Sequence, residues 1–164
     1  MVTPYKPEQL KRGDIDAMEP SDTCVILSMM LEGVSLKAYK DVGGRWTVGY
    51  GSTAGVGPAT RITIAQAHAM MYHDLEIAAA AVRDHVCVPL AQNEFDALTL
   101  FVNNVGVHAF ATSTLLRKLN QGHYHSAFAQ LFRWCHVHGT VVRGLVRRRN
   151  IEYRLATQAD APAV

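Results

Sequence analysis

Cysteine is scarce in this 164-residue chain: Cys24, Cys87 and Cys135 are odd in number, far apart, and never in a C-x-x-C pair. That argues against a disulfide framework and for folding in a reducing compartment, with the thiols acting as small buried apolar side chains. Long hydrophobic runs are also missing. None approaches the ~20 residues needed to span a bilayer. The N-terminal MVTPYKPEQLKRGDID lacks the apolar core of a signal peptide, so self-export is not expected. No charge of one sign prevails either. The formal balance is +2, with eight histidines to add charge in mild acid. This gives no reason to expect nucleic acid, and it is compatible with an anionic wall polymer. Repeats and low-complexity segments are absent. What remains, 49% hydrophobic over this length, is enough for one domain with a real core.

The chain divides into an N-terminal arm over 1–20 and a single domain over 21–164. The arm is polar, carries Pro4, Pro7 and Pro20, shows no period, and reads as extended. Ser21 or Asp22 then caps a short helix, TCVILSMML, that delivers Glu32 near its end. Glycines, β-branched residues and aromatics from Ser35 to Thr53 predict turns and short strands in a small sheet. Thr63 and Gln66 have capping-box spacing and open a long helix to about Val86, a spine between two lobes. QNEFDALTLFVNNVG predicts a buried helix through Phe95, Leu98, Phe101 and Val102. Ser113 or Thr112 caps TLLRKLNQ, and Gly122 suits the position that stops it. HYHSAFAQLFRW predicts another helix, and VVRGLVRRRNIEYRLAT the last. The fold class is therefore α+β and mostly helical, with a β-containing lobe over about 32–60 and a helical lobe over about 61–157.

The chemistry gathers in Leu31 to Thr53, LEGVSLKAYKDVGGRWTVGYGST. Glu32, Asp41 and Thr47 follow one another at intervals that a turn and a hairpin bring together. Cleavage of a sugar acetal needs two carboxyl groups, one giving a proton to the leaving oxygen and one ionised to work on a water or on the sugar. Glu32 follows the apolar VILSMML, where desolvation favours a protonated carboxyl. Asp41 lies beside Lys40, Gly43 and Gly44, a polar turn that tolerates an ionised one. Thr47 carries a hydroxyl that both donates and accepts, suited to orienting a water. On spacing alone, two surface acids flanking a turn is the stronger reading.

The residues around them form a longer pattern, EG-x-x-L-x-AY-x-D-x-x-G-x-WT-x-GYG, filled by Glu32, Gly33, Leu36, Ala38, Tyr39, Asp41, Gly44, Trp46, Thr47, Gly49, Tyr50 and Gly51. This resembles the phage-type lysozymes, the muramidases of the bacteriophage endolysin class. The likeness continues through QNEFDAL, the F-x-x-N-x-G stretch at 101–106, AF-x-x-STLLRKLN-x-G and G-x-VV-x-GL-x-x-RR, covering about residues 25–155. It implies a lysozyme-like fold, with a small β-sheet lobe and a helical lobe joined by a long helix across a cleft. It implies a peptidoglycan glycan strand as substrate, cut at the β-1,4 bond after N-acetylmuramic acid. It also implies Glu32 as general acid, Asp41 assisting the water or the cationic sugar carbon, and Thr47 positioning the water. Inversion would follow, with carboxyl groups about 6.5–9.5 Å apart. No cofactor or metal is implied. A monomer is expected, waiting in the host cytoplasm for a holin to open the membrane and then acting on the wall.

Asn104 and Ser113 are further candidates for hydrogen bonds to the sugars, though Ser113 also reads as a plain helix cap. Trp46 is expected in the core, while Tyr50 is open between core and sugar stacking. Arg143, Arg147, Arg148 and Arg149 form a solvated face, a membrane-disturbing helix, or a set of which one turns inward to pair with Glu32. His123, His125, Cys135, His136 and His138 offer metal-ligand atoms, but without the spacing of a known zinc site. Two features depart from the family: Ser52 stands after GYG where histidine is usual, and WCHVHGTVV stands where small or amide residues line the cleft. A lysozyme carried in a virion or a secretion device, a non-catalytic wall-binding or virion structural protein, and a chitin-cleaving relative are the alternatives.

Overall fold

A computed structural model describes residues 15–158. Most of the predicted N-terminal arm, 1–14, lies outside the described residues. Where the arm is described it differs from expectation, because Ile15 and Asp16 are helical rather than extended. Ile15 is fully buried in the larger core, and Arg83 donates to the Met18 carbonyl at 2.8 Å.

Helix α1 (Asp22–Glu32) starts at Ser21, whose hydroxyl accepts from the Cys24 N–H, and ends on Glu32. Gly33, at φ +64°, turns the chain out of it. Strands β1 (Ser35–Lys40) and β2 (Trp46–Gly49) pair antiparallel, with Tyr39 opposite Thr47 and Lys40 opposite Trp46. Helix α2 (Ile64–His85) opens with the expected capping box between Thr63 and Gln66. Helix α3 (Gln92–Val105) follows, buried on nearly every side from Glu94 to Val102, as a central helix must be. Three short helices come next: α4 (Val107–Ala111), α5 (Thr114–Asn120) and α6 (Tyr124–Phe128).

The single helix predicted over HYHSAFAQLFRW breaks after Phe128 into a 3₁₀ segment, Ala129–Arg133. The tighter turn of three residues stacks Phe128 and Leu131 on one side, where both are buried. A second hairpin was not foreseen. Strands β3 (His136–Val137) and β4 (Thr140–Val141) pair through His138 and Gly139, both at positive φ, as a two-residue hairpin turn requires. Helix α7 (Arg143–Thr157) closes the chain.

Two clusters of buried side chains divide the interior. The smaller joins Cys24, Tyr50, Ala67, Met71, Leu75 and Leu100. The larger, in the helical part, includes Ala78, Ala79, Val82, Phe95, Phe101, Phe110, Leu119 and Phe128. Helix α2 spans about 33 Å at 1.5 Å per residue. It gives its first half to one cluster and its second half to the other, the spine the sequence predicted. Among the described residues no helix is long and apolar enough to cross a membrane.

Candidate active site

A cleft of about 560 Å³ opens between the β1–β2 hairpin and the helices. This is within the usual range for a ligand site. One wall carries Glu32, Asp41, Thr47 and Tyr50; the other carries Asp74 and Ile77 of α2 and residues 102–107, where α3 ends and α4 begins. The three residues predicted for acetal chemistry therefore line one space.

Glu32 owes its place to α1, and α1 is held from its other end. Asp96 of α3 accepts from both the backbone N–H and the hydroxyl of Ser21, while the buried Cys24 thiol faces the Asp96 carbonyl. The Glu32 carboxyl is directed by two neighbours. Arg148 Nη1 donates to its Oε1. Oε2 faces Gly51, where an added Cβ would sit 3.3 Å from it and where φ is +100°. A side chain at position 51 would meet both backbone strain and the carboxylate, so glycine keeps Oε2 free toward the cleft.

Arg148 is the inward-turning arginine the sequence left unspecified. Its Nε bonds Glu152 at 3.0 Å and its Nη2 the Leu100 carbonyl at 3.1 Å. Glu152, fully buried, takes a second guanidinium, with Arg149 Nη1 at 2.5 Å. Arg149 also donates to Asn104 Oδ1 and lies over the Phe101 ring at 5.0 Å. A continuous chain thus runs Glu32–Arg148–Glu152–Arg149–Asn104, from one cleft wall to the other. Burial pushes the Glu152 carboxyl up, against the pull of Arg149 and Arg148. The same burial pushes the Arg149 guanidinium down, opposed chiefly by Glu152. Arg143, Arg147 and Arg154 stay on the exposed face of α7.

Asp41 begins the turn between the strands. Its Oδ1 accepts the Arg45 N–H at 2.9 Å, and its Oδ2 lies 3.4 Å from the Arg45 guanidinium. Chiefly through the Arg45 backbone N–H, with help from that of Gly43 and from the Arg45 guanidinium, and against a desolvation effect, Asp41 is held below its ordinary carboxylate range. Thr47 is buried, and its hydroxyl donates to the Arg45 carbonyl at 3.2 Å. With that hydrogen engaged, its lone pairs are left as acceptors.

The secondary candidates separate. Asn104 lines the cleft with its carbonyl committed to Arg149. Tyr50 lines it too, but is buried in the smaller core, its hydroxyl 3.2 Å from His68 Nε2 and the two rings stacked. Ser113 is not among the cleft-lining residues; its hydroxyl accepts the Leu116 N–H as the cap of α5. Trp46, expected in the core, is half-buried with the Lys40 ammonium 5.4 Å over its ring, because its strand partner is a lysine rather than an apolar residue. His136 and His138 belong to the second hairpin, Cys135 directly precedes it, and none of the three lines the cleft. Among the described residues no three ligand-type side chains converge as a metal site would require. Sequence reasoning missed Asp96, Glu152 and Asp74. Only the spacing R-R-x-x-E at 148–152, three and four residues apart on a helix, signalled any of them.

Comparison with known proteins gives one picture. The family model described as "Phage lysozyme" matches residues 29–152. An endolysin of Acyrthosiphon pisum secondary endosymbiont phage 1 is 40% identical over 146 residues, 87% of this chain and all of that one. A SAR-endolysin of Bacteriophage PS119 is 42% identical over 123 residues, 74% of each chain. Among solved structures, the muramidase domain of SpmX from Asticaccaulis excentricus superposes with a TM-score of 0.79 at 34% identity, covering 86% of this chain and 99% of that one.

Proposed function

We infer the function from one premise: the chain belongs to the phage lysozyme family. It is a glycoside hydrolase, an endolysin-type muramidase that cleaves peptidoglycan in host lysis. The residue roles proposed here rest on one observation, that Glu32, Asp41 and Thr47 line a single cleft with the Glu32 carboxyl fixed on one oxygen only. Glu32 is the general acid, giving the proton on Oε2 to the glycosidic oxygen that leaves. Asp41, ionised in its turn, assists the attacking water or stabilises positive charge at the sugar carbon. Thr47 accepts a hydrogen of that water and so aims the oxygen lone pair. The bond is the β-1,4 linkage after N-acetylmuramic acid, and attack by water gives inversion. The chain acts as a monomer that reaches the wall from the host cytoplasm through a holin opening.

Digestion of purified sacculi tests this reading. Muropeptides ending in reducing N-acetylmuramic acid are the expected product, released with inverted anomeric configuration as read by NMR in the first minutes. Chitooligomers released from chitin, with sacculi untouched, would favour a chitinase. The β product would mean retention and a covalent intermediate.

The acid limb of the pH–rate profile checks Asp41. Its carboxyl must stay ionised, and its lowered pKa places loss of activity on acidification below the ordinary carboxylate range. Arg45→Ala keeps the backbone N–H that is the main cause, so most of this displacement is expected to survive. A limb that returns to the ordinary range would assign the effect to the guanidinium instead.

A further inference from the structure

The cleft holds a third carboxylate that the roles above do not use. Asp74 stands in the middle of α2, near Ile77 and Ala78, where that helix forms part of the cleft wall. Ser52 Oγ donates to its Oδ2 at 2.5 Å. The other two cleft acids each face an arginine, Glu32 with Arg148 and Asp41 with Arg45. Among the described residues Asp74 has no such cation, and its Oδ1 has no hydrogen-bond partner.

The sequence explains why. Position 52 follows Gly49-Tyr50-Gly51, where the family resemblance places histidine. An imidazole there would offer Asp74 a bulky partner able to carry charge. Serine is short and neutral, so it satisfies one oxygen and leaves the other without a partner, on a carboxylate that lines the cleft. A half-buried carboxylate with a free oxygen is a strong acceptor in search of a donor. A glycan strand lying in the cleft is rich in donors, its hydroxyls and acetamido N–H groups, whereas carboxylates of the stem peptides would be repelled.

We propose that Asp74 is a substrate-binding residue, its Oδ1 accepting a hydrogen bond from a hydroxyl or acetamido N–H of the glycan strand while Ser52 holds Oδ2. This rests on the muramidase reading. Ground-state binding to a neutral donor persists through the transition state, so its loss falls on KM and leaves kcat in place.

The test is steady-state digestion of dye-labelled sacculi by the native chain, Asp74→Asn and Ser52→His, with thermal unfolding of each. Asp74→Asn keeps the volume and removes the charge; KM is expected to rise roughly tenfold, the scale of one hydrogen bond to a charged group, with kcat within about twofold. Ser52→His supplies Asp74 with a competing partner and is expected to raise KM in the same direction while the protein unfolds no earlier than the native chain. An unchanged KM in both variants overturns the proposal, as does a lowered Tm with KM intact, which would make the pair only a staple between the hairpin and α2. A fall in kcat alone overturns it too. De-N-acetylated sacculi separate the donors. An acetamido contact becomes an ammonium contact, and the difference between native and Asp74→Asn widens; a hydroxyl contact leaves it unchanged. If the native chain releases nothing from sacculi, the muramidase reading itself fails, a result distinct from all of these.

Discussion

Glu32→Gln is expected to lower the rate of wall cleavage by roughly 10²–10⁴-fold or more, the range a positioned general acid supplies. Glutamine fills the same volume beside Gly51, and its carbonyl still accepts from Arg148. What it lacks is the proton. A sugar oxygen leaving without one departs as an alkoxide, the costly path that acid catalysis avoids. Folding is expected to survive the change, because Arg148 retains Glu152 at 3.0 Å and the Leu100 carbonyl at 3.1 Å. Turbidity loss of outer-membrane-permeabilised Gram-negative cells measures it. Lysis by the native chain alone establishes a glutamate-dependent hydrolase. Equal lysis by both would move the activity to the exposed arginines of α7. Lysis by neither would make wall binding or a structural role the better account.

Glu152→Ala is expected to be the most destabilising single change in the cleft region. Glu152 is wholly inaccessible, and the guanidiniums it joins are 5% and 0% exposed at Arg148 and Arg149. Removing the carboxylate leaves Arg148 with Glu32 and the Leu100 carbonyl, but leaves the fully buried Arg149 with neutral partners, Asn104 Oδ1, Trp134 O and the Phe101 ring. Breaking a buried ion pair from one side costs about 3–5 kcal/mol. At about 2–4 °C per kcal/mol for a chain of this size, Tm should fall by roughly 10 °C, measurable by calorimetry. Activity should fall as well, since Arg148 would no longer be fixed behind Glu32. Glu152→Gln, keeping an acceptor but no charge, should lie between the native chain and Glu152→Ala. Equal stability of Glu152→Ala and the native chain would show that water reaches the arginines.

What the sequence made legible was local. Ser21, Thr63 and Ser113 declare helix starts through bonds three residues away, and Gly122 declares a stop, so their reading needed no tertiary knowledge. That Glu32, Asp41 and Thr47 would meet was legible for a related reason: the end of α1 and the hairpin directly after it carry them, and the family pattern is continuous over those residues. Long-range partnerships were not. That some arginine faces Glu32 was readable, but which one depends on the rotation of α7, and Arg148 lies 116 positions away. The Ser21–Asp96 bond spans 75 positions and has no local signature. The second hairpin was hidden because its strands are two residues long, too short for alternation to register, and only the His138-Gly139 turn hints at it. Trp46 was misjudged because an aromatic beside strand glycines looks apolar until its cross-strand neighbour is known to be lysine.

The buried chain in α7 also limits how the gene can vary in length. Arg148 and Arg149 are neighbours that serve opposite walls because successive side chains diverge by about 100° around a helix, and Glu152 meets both because it lies one turn on. One codon inserted between 149 and 152 would swing the carboxylate a quarter turn or more away and part it from both arginines. The outward positions 143, 147, 150 and 154 carry no such constraint. This helix can be repainted on its outside by substitution, but between Arg148 and Glu152 its reading frame of turns cannot gain or lose a residue.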